Sequence, residues 1–431
     1  VVDGSTKWLV RQELGPARLM TIISVSRRSA LSAASIVVAT VVTFLLASST
    51  SAGLATAATF DIAILALTAL TSRGLRADHP VLFRSLLSLL IVDVALFTTF
   101  FFSATTNFDL ATGASMSIVL LGLSFLTGAS GQISIGNGAF MGVGAFTMAI
   151  WANHHATTPI VITLIIAIAV GAFVGLLLGL PATRLRGPYL AGMTLAFAVA
   201  FTAILSSFNS WTGGDSGLQL PTSVTPPQWL ANLFNSSTPP LTINSMWLAD
   251  IAIMVAGVAF FFMANLFASK TGRAMRLIRD NDVAAELVGI SLPRTRVIAF
   301  IVSSAYAALG GALWTLINNS VSPSTYSFAL SITILSLVVI GGIGTISGAL
   351  IGGVIYAYST TVITWITNQT GLNPQGNIAS QLNGIIFGGL LILTMLFAPM
   401  GIAGAVIRLW RSKKVARGDL QRSRTSPTLT Q

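Results

Sequence analysis

Long apolar runs separated by short polar or glycine-rich intervals occupy most of the 431-residue chain. Such runs stand at 31–46, 54–70, 85–102, 111–126, 135–151, 160–180, 189–206, 247–267, 297–317, 329–343, 346–366 and 383–406. Each approaches the roughly 20 apolar residues that a helix rising 1.5 Å per residue needs to cross hydrocarbon. The pattern predicts an all-α polytopic membrane protein, a bundle of about 10–12 transmembrane helices. The lower count applies if the pieces around Gly131 and Gly344 are re-entrant or broken helices, since several runs are short or rich in glycine. The first run follows Arg27 and Arg28 and precedes Ala47, Ser48 and Ser49, which has the outline of an export signal. The long segment before it and the second apolar run directly after it favour a membrane hairpin instead.

The basic residues sort by side. All 23 Lys and Arg fall within 7–28, 73–84, 184–186, 270–296 and 408–424, and the alternate loops hold none. Excess Lys and Arg mark the cytoplasmic face. Both termini and the loop 269–296 are therefore expected inside a bacterial plasma (inner) membrane, and the long loop 209–246 outside. The domain plan that follows is a cytoplasmic segment 1–28, accessory transmembrane helices 29–106, a transmembrane domain 107–407 and a basic cytoplasmic tail 408–431. The formal charge of +11 is spread over loops that meet an anionic leaflet, so membrane lipid and not nucleic acid is the expected partner. With 54% hydrophobic and 8% charged residues, the composition excludes a soluble core. The lack of cysteine excludes disulfides, zinc thiolates and iron–sulfur clusters. Of the three His residues, His154 and His155 are adjacent on a short outer loop and read as a solvated turn, so no metal site is expected.

Glycine at every fourth position, Gly171, Gly175 and Gly179 in one run and Gly344, Gly348 and Gly352 in another, predicts close helix packing, because it clears a stripe along which backbones can meet. The segment 128–146 places six glycines among Gln132, Ser134 and Asn137. Polar, irregular backbone at membrane depth must be buried in protein or line a water-filled path. A glycine-rich helix junction and a translocation lining are both open readings. Asp61 and Asp93 lie mid-run, where a carboxylate costs at least about 2.5–3.5 kcal/mol on insertion scales. Proton coupling and simple packing polarity compete, and packing is favoured because no basic residue lies in any run.

The inner loop 269–296 spaces Arg273, Arg276 and Arg279 at intervals of three with Ala274, Leu277 and Ile278 between them, an amphipathic helix. Asp280, Asp282 and Glu286 then add acid, Ala284 and Ala285 remove bulk, and Gly289 stops the helix before Pro293. Small residues beside mixed charge describe a knob that docks in a groove of another protein. The Ala284-Ala285-x-x-x-Gly289 core resembles the coupling loop of ABC-importer permeases, with Val283 where the general pattern has an acid. The fuller string GRAMRLIRDNDVAAELVGI is similar to that of branched-chain amino-acid permeases of the LivM type. So are GQISIGNGAF, GPYLAGMTLAF, TGGDSGL, VVIGGIGTISGALIG and FAPMGIAG, in order from about Ala111 to Arg408.

The resemblance implies a permease subunit paired with a homologous permease, two cytoplasmic ATPases and an extracytoplasmic solute-binding protein. Arg273, Arg276, Asp280, Ala284, Ala285, Glu286 and Gly289 would form the ATPase contact. Gln132, Ser134, Asn137 and Thr194 are candidates for the path. It implies no cofactor in this chain, with ATP and Mg on the partner subunits. Hydrolysis by the chain itself is not expected: Lys270-Thr271 ends like a phosphate-binding loop, but Ser269 and Ala264 stand where that loop needs glycine. The loop reports the engine and not the cargo, so urea, short amides or another small polar solute compete with leucine, isoleucine and valine. A proton-driven carrier using Asp61 or Asp93 is the rival from another class. A membrane-embedded enzyme lacks convergent ionisable groups at one depth.

Overall fold

The computed structural model describes Thr99 and residues 103–155, 158–185, 187–220 and 240–370, with short pieces between 388 and 405. The expected runs 31–46 and 54–70, nearly all of 85–102 and much of 383–406 lie outside the described residues, as do Asp61 and Asp93. The chain divides into two compact units, 1–98 with 228–237 and 99–227 with 238–431, and every described residue belongs to the second.

Helices carry the fold. In chain order they are α1 (Ala104–Ser130), α2 (Asn137–His154), α3 (Ile160–Ala182), α4 (Pro188–Ser207), the short α5 (Asn209–Thr212), α6 (Pro240–Ala268), α7 (Lys270–Asp280), α8 (Asp282–Leu287), α9 (Leu292–Asn318), α10 (Phe328–Gly341) and α11 (Ile346–Thr370). Five of them, α1, α3, α4, α6 and α9, are long and apolar enough to cross a bilayer. Local sequence sets their ends. Ser103 accepts a hydrogen bond from the Thr106 N–H at 3.4 Å to start α1, and Gly131, at φ 70°, closes it in the left-handed region. Pro188 opens α4 where its missing N–H is of no consequence. Thr345 Oγ1 accepts from the Gly348 N–H at 3.1 Å to start α11.

α1 and α9 form the centre. Within their apolar windows 83% of α1 and 61% of α9 residues are buried, against 22% for α4 and 28% for α3 and α6, which leaves those three helices for lipid or partner surfaces. α9 packs against α3, α1 and α2, and α1 against α6 and α11. The contact with α3 runs through its glycine stripe: Gly171 faces Ala308, Gly175 faces Ser304 and Gly179 faces Phe300. A four-residue step up one helix meets a four-residue step down the other. A Cβ on Gly175 would overlap Ser304 Oγ, and one on Gly144 in α2 would overlap the Ala308 carbonyl. These are the close backbone approaches that bind helices in lipid.

Helix breaks stand at both glycine-rich positions singled out from sequence, residues 131–136 and 342–345. The second corrects one expectation. Gly344 is not part of a helical stripe with Gly348 and Gly352: it lies in the turn between α10 and α11 at φ 76°. Its N–H donates to Ser124 Oγ at 3.0 Å, and its backbone presses on Gly128, where a Cβ would overlap Gly344 Cα. Equal spacing in sequence concealed a change of backbone conformation.

The two ends of the bundle differ chemically. At one, β1 (Leu218–Gln219) pairs antiparallel with β2 (Ser320–Val321), and Asn153 Nδ2 donates to the Gln219 carbonyl at 3.2 Å. The TGGDSGL segment beside them holds Gly213, Gly214 and Gly217 at φ 71°, 60° and 73°, turns that side chains would strain. His154 stacks on Trp211 with centroids 6.4 Å apart. At the other end stand Arg184 and the whole 269–296 loop.

The packing makes a stability prediction. Gly175→Leu should lower the melting temperature of the purified chain in detergent, overpacking of this kind costing about 1–3 kcal/mol. Gly192 in α4 has nothing within 4 Å of a Cβ, so Gly192→Ala should leave stability unchanged or raise it by about 0.4–1 kcal/mol. Equal melting temperatures for the two variants would contradict the packing described.

Candidate functional site

The loop 269–296 is a folded unit with its own small core. Ser269 Oγ accepts from the Gly272 N–H at 3.2 Å to start α7, and Asn281 Oδ1 accepts from the Ala284 N–H at 3.1 Å to start α8. α8 ends in a paired turn: the Gly289 N–H donates to the Glu286 carbonyl at 2.9 Å and the Ile290 N–H to the Ala285 carbonyl at 3.0 Å, with Gly289 at φ 83°. Ile278, Ala285 and Leu292 are buried together under Leu277 and Ile290. Arg296 Nη2 meets Asp282 Oδ2 at 2.7 Å and fastens α8 to the first turns of α9.

This geometry redistributes the roles expected from sequence. Arg273 Nη1 donates to the Ala268 carbonyl at 2.8 Å and Arg276 Nη2 to the Phe267 carbonyl at 2.9 Å. Both guanidiniums serve the carbonyl end of α6, where cations are favoured. Asp280 pairs with its neighbour Arg279 at 2.9 Å. Ala285 is fully buried against its own chain and so presents nothing outward, which corrects its placement on a docking face. Ala284 is half-buried, while Glu286 and Gly289 are exposed. The apolar groups that do face outward are Val283, Leu287 and Val288, at 66%, 84% and 74% exposure. Sequence reading noted Val283 only as a departure from the coupling-loop pattern and passed over Leu287 and Val288, because aliphatic residues beside alanines look like the inside of a helix.

Arg279 ties this unit to the central helix. Its Nη1 donates to the Gly128 carbonyl in the last turn of α1. Its stem lies over Gly131, where a Cβ would come within 2.8 Å of Arg279 Cγ. In sequence it is one of three equivalent arginines.

Beyond Gly131 the chain runs without helix to Gly136. The Ile135 N–H donates to Thr194 Oγ1 of α4 at 3.0 Å, and the Gly138 N–H to Ser331 Oγ of α10 at 3.1 Å. Gln132, Ser134, Asn137 and Thr194 are all buried. The break therefore brings Ser134 and Thr194 to one place, with Asn137 at the start of α2. Gln132 instead lines a cavity of about 400 Å³ beside α7 and α8. Both side-chain polar atoms of Gln132 and of Asn137 lack a hydrogen-bond partner. Each such buried atom costs about 1–3 kcal/mol.

Two intramembrane acids escaped the sequence reading. Asp109 in α1 accepts from Thr361 Oγ1 at 3.0 Å, and Asp250 in α6 from Thr99 Oγ1 at 2.9 Å. Neither helix carries Lys or Arg. Asp109 sits just before an apolar run and Asp250 near the start of another, where an acid looks like loop.

Residues 105–395 match a family described as branched-chain amino acid transport system / permease component. The chain is 29% identical over 331 residues to the high-affinity branched-chain amino acid transport system permease protein LivM of Salmonella typhimurium, covering 74% of each chain. It is 29% identical over 308 residues to the protein of the same name from Escherichia coli K12, covering 68% of this chain and 69% of that one. Similarity extends to LivH of Salmonella typhimurium, at 26% over 214 residues, 49% of this chain and 64% of that one. No solved structure matches the chain.

The turn at Gly289 is directly testable. Left-handed backbone costs a β-branched residue roughly 1–2 kcal/mol, whereas asparagine tolerates it. Gly289→Val should speed hydrogen exchange at the Ile290 amide by about tenfold, and Gly289→Asn should leave it near the parent rate. Equal exchange in both variants would contradict the turn.

Proposed function

The chain belongs to the family of permease components of branched-chain amino acid transport systems, and we propose that it imports leucine, isoleucine and valine as the membrane subunit of an ATP-driven transporter. An extracytoplasmic binding protein delivers the cargo, and two cytoplasmic ABC ATPases supply the work. The names of the LivM relatives support the cargo. The additional likeness to LivH supports pairing with a homologous permease in a heterodimer. The distribution of Lys and Arg supports a cytoplasmic side for the 269–296 end and both termini, and an outer side for the β1–β2 end.

The observation that carries this reading is the outward apolar face of α8. Val283, Leu287 and Val288 project from a charged loop in which Arg273, Arg276, Arg279, Asp280, Asp282 and Arg296 are held by internal bonds. Exposed aliphatic groups on a rigid, polar-rimmed support form the centre of a protein interface. The hydrolytic site, with its ATP and Mg, belongs to the partner, because Ser269 and Ala264 deny this chain a phosphate-binding loop.

Force then has a short route inward. ATPase closure displaces α8 and α7, Arg279 carries the displacement to the last turn of α1, and the 131–136 break with Ser134, Asn137 and Thr194 changes its packing. Selectivity resides mainly in the binding protein, so the path needs only weak polar contacts such as the unpaired amide of Asn137.

Leu287→Asp tests the reading. The side chain is 84% exposed, so the variant should insert and fold normally. It should lose co-purification of the ATPase subunits, with ATP hydrolysis and leucine uptake in reconstituted vesicles falling together by at least about tenfold. Leucine uptake by the chain without ATPases, abolished by collapse of the proton gradient, would overturn it.

A further inference from the structure

We propose that the turn 208–217 is the contact by which the outer end of this chain holds its solute-binding protein, and that the group it receives there is a Lys or Arg side chain. The identity of the partner rests on the permease reading, while the cationic chemistry rests on the surface itself.

The turn is built to keep one shape. Thr212 Oγ1 donates to the Leu205 carbonyl at 2.7 Å and accepts from the Gly214 N–H at 3.3 Å, which fastens the segment to the end of α4. A Cβ on Gly217 would overlap the Val321 carbonyl of β2, so the backbones of the two outer segments lie against each other. Exposed groups stand on this support. Phe208 and Trp211 are 59% and 65% exposed, and the Trp211 ring is steadied by its stack with His154. Asp215, in the tight turn Gly214–Ser216 that packs on α4 and α5, is exposed as well. Among the described residues its carboxylate has neither an ion-pair nor a hydrogen-bond partner.

Charge selects the partner group. The outer segments 47–53, 103–110, 152–159, 208–246, 319–327 and 367–383 contain no Lys or Arg anywhere in their sequence, and their only carboxylates are Asp109 and Asp215. Asp109 is buried and accepts from Thr361, which leaves Asp215 as the one exposed carboxylate of these segments among the described residues. The histidines there, His154 and His155, are neutral in the formal count at pH 7. A carboxylate on a partner therefore finds no cation to match, whereas a Lys or Arg meets no repulsion and one free anion. An aromatic face such as that of Trp211 also attracts a cation, and exposed Trp on a rigid support is a frequent anchor of protein interfaces.

The test uses the assembled transporter in nanodiscs, titrated at low and raised ionic strength with its own solute-binding protein loaded with leucine. Asp215→Asn should weaken association about tenfold, Asp215→Lys should weaken it further, and Asp215→Glu should stay near the parent. Added salt should weaken the parent complex more than the Asp215→Asn complex. Trp211→Ala should also weaken association about tenfold. Co-purification of the ATPases and of the second permease, and ATP hydrolysis without binding protein, should stay at parent levels in the Asp215 variants. Parent-like affinity in Asp215→Lys would overturn the proposal. Loss of the second permease in that variant would do so too, by making the turn a contact between permeases. Normal association by Trp211→Ala, with a melting temperature lowered in bilayers and not in detergent, would overturn it in favour of a headgroup anchor. ATP-driven leucine uptake by the parent, measured in parallel, separates the two claims. Uptake that requires the binding protein, with Asp215→Lys binding it as the parent does, removes this contact and leaves the permease, whereas a parent without ATP-driven uptake removes the permease reading itself.

Discussion

Apolar side chains gain nothing by leaving lipid tails for a protein interior, so a bundle in a bilayer must be held by close backbone contact and by hydrogen bonds. The α9 helix meets that constraint for the described unit. It receives the glycine stripe of α3 on one side and the small residues of α1 and α2 on others. Because these contacts admit no intervening side chain, α9 and α1 behave as one body. Among the described residues the helix breaks lie at 131–136 and 342–345, and α4 is the least buried of the long apolar helices.

The position of α7 and α8 follows from the same body. α7 and α8 are too short and too polar to enter the bilayer, yet they are not loose loop. Arg273 and Arg276 attach them to the end of α6, Asp282 and Arg296 to the start of α9, and Arg279 to the end of α1. Three transmembrane helices thus converge on one unit of under thirty residues. A push on its apolar face reaches the central pair directly, and the adjacent break offers the nearest backbone able to respond.

Much of this was legible in the sequence because lipid imposes simple rules. Run length located α3 and α4 to within two residues at each end and fell inside α1, α6 and α9, which begin five to seven residues earlier, and the glycine spacing pointed to the α3 stripe. What escaped shares a physical reason: spacing does not report backbone dihedral or side-chain direction. Gly344 kept a four-residue interval from Gly348 across a left-handed turn. Ala285 fitted a docking pattern but turned inward onto Ile278 and Leu292. Arg273, Arg276 and Arg279 repeat identically in sequence, and only three-dimensional placement distinguishes two helix-end caps from the link to α1. Asp109 and Asp250 were hidden by their places beside and near the starts of apolar runs, although each ends inside the bundle against a threonine hydroxyl.

The central claim, that Arg279 carries motion from the ATPase-facing helices to α1, is tested most directly by the number of leucine molecules imported per ATP hydrolysed in reconstituted vesicles. In Arg279→Ala the face formed by Val283, Leu287 and Val288 remains, so the ATPases should stay bound and hydrolysis should continue. The bond to the Gly128 carbonyl is lost, and a charge-assisted bond of this type contributes about 1.5–3 kcal/mol. The account predicts that import per ATP falls by at least about tenfold, with Arg279→Lys recovering part of it. An unchanged ratio in Arg279→Ala would contradict it.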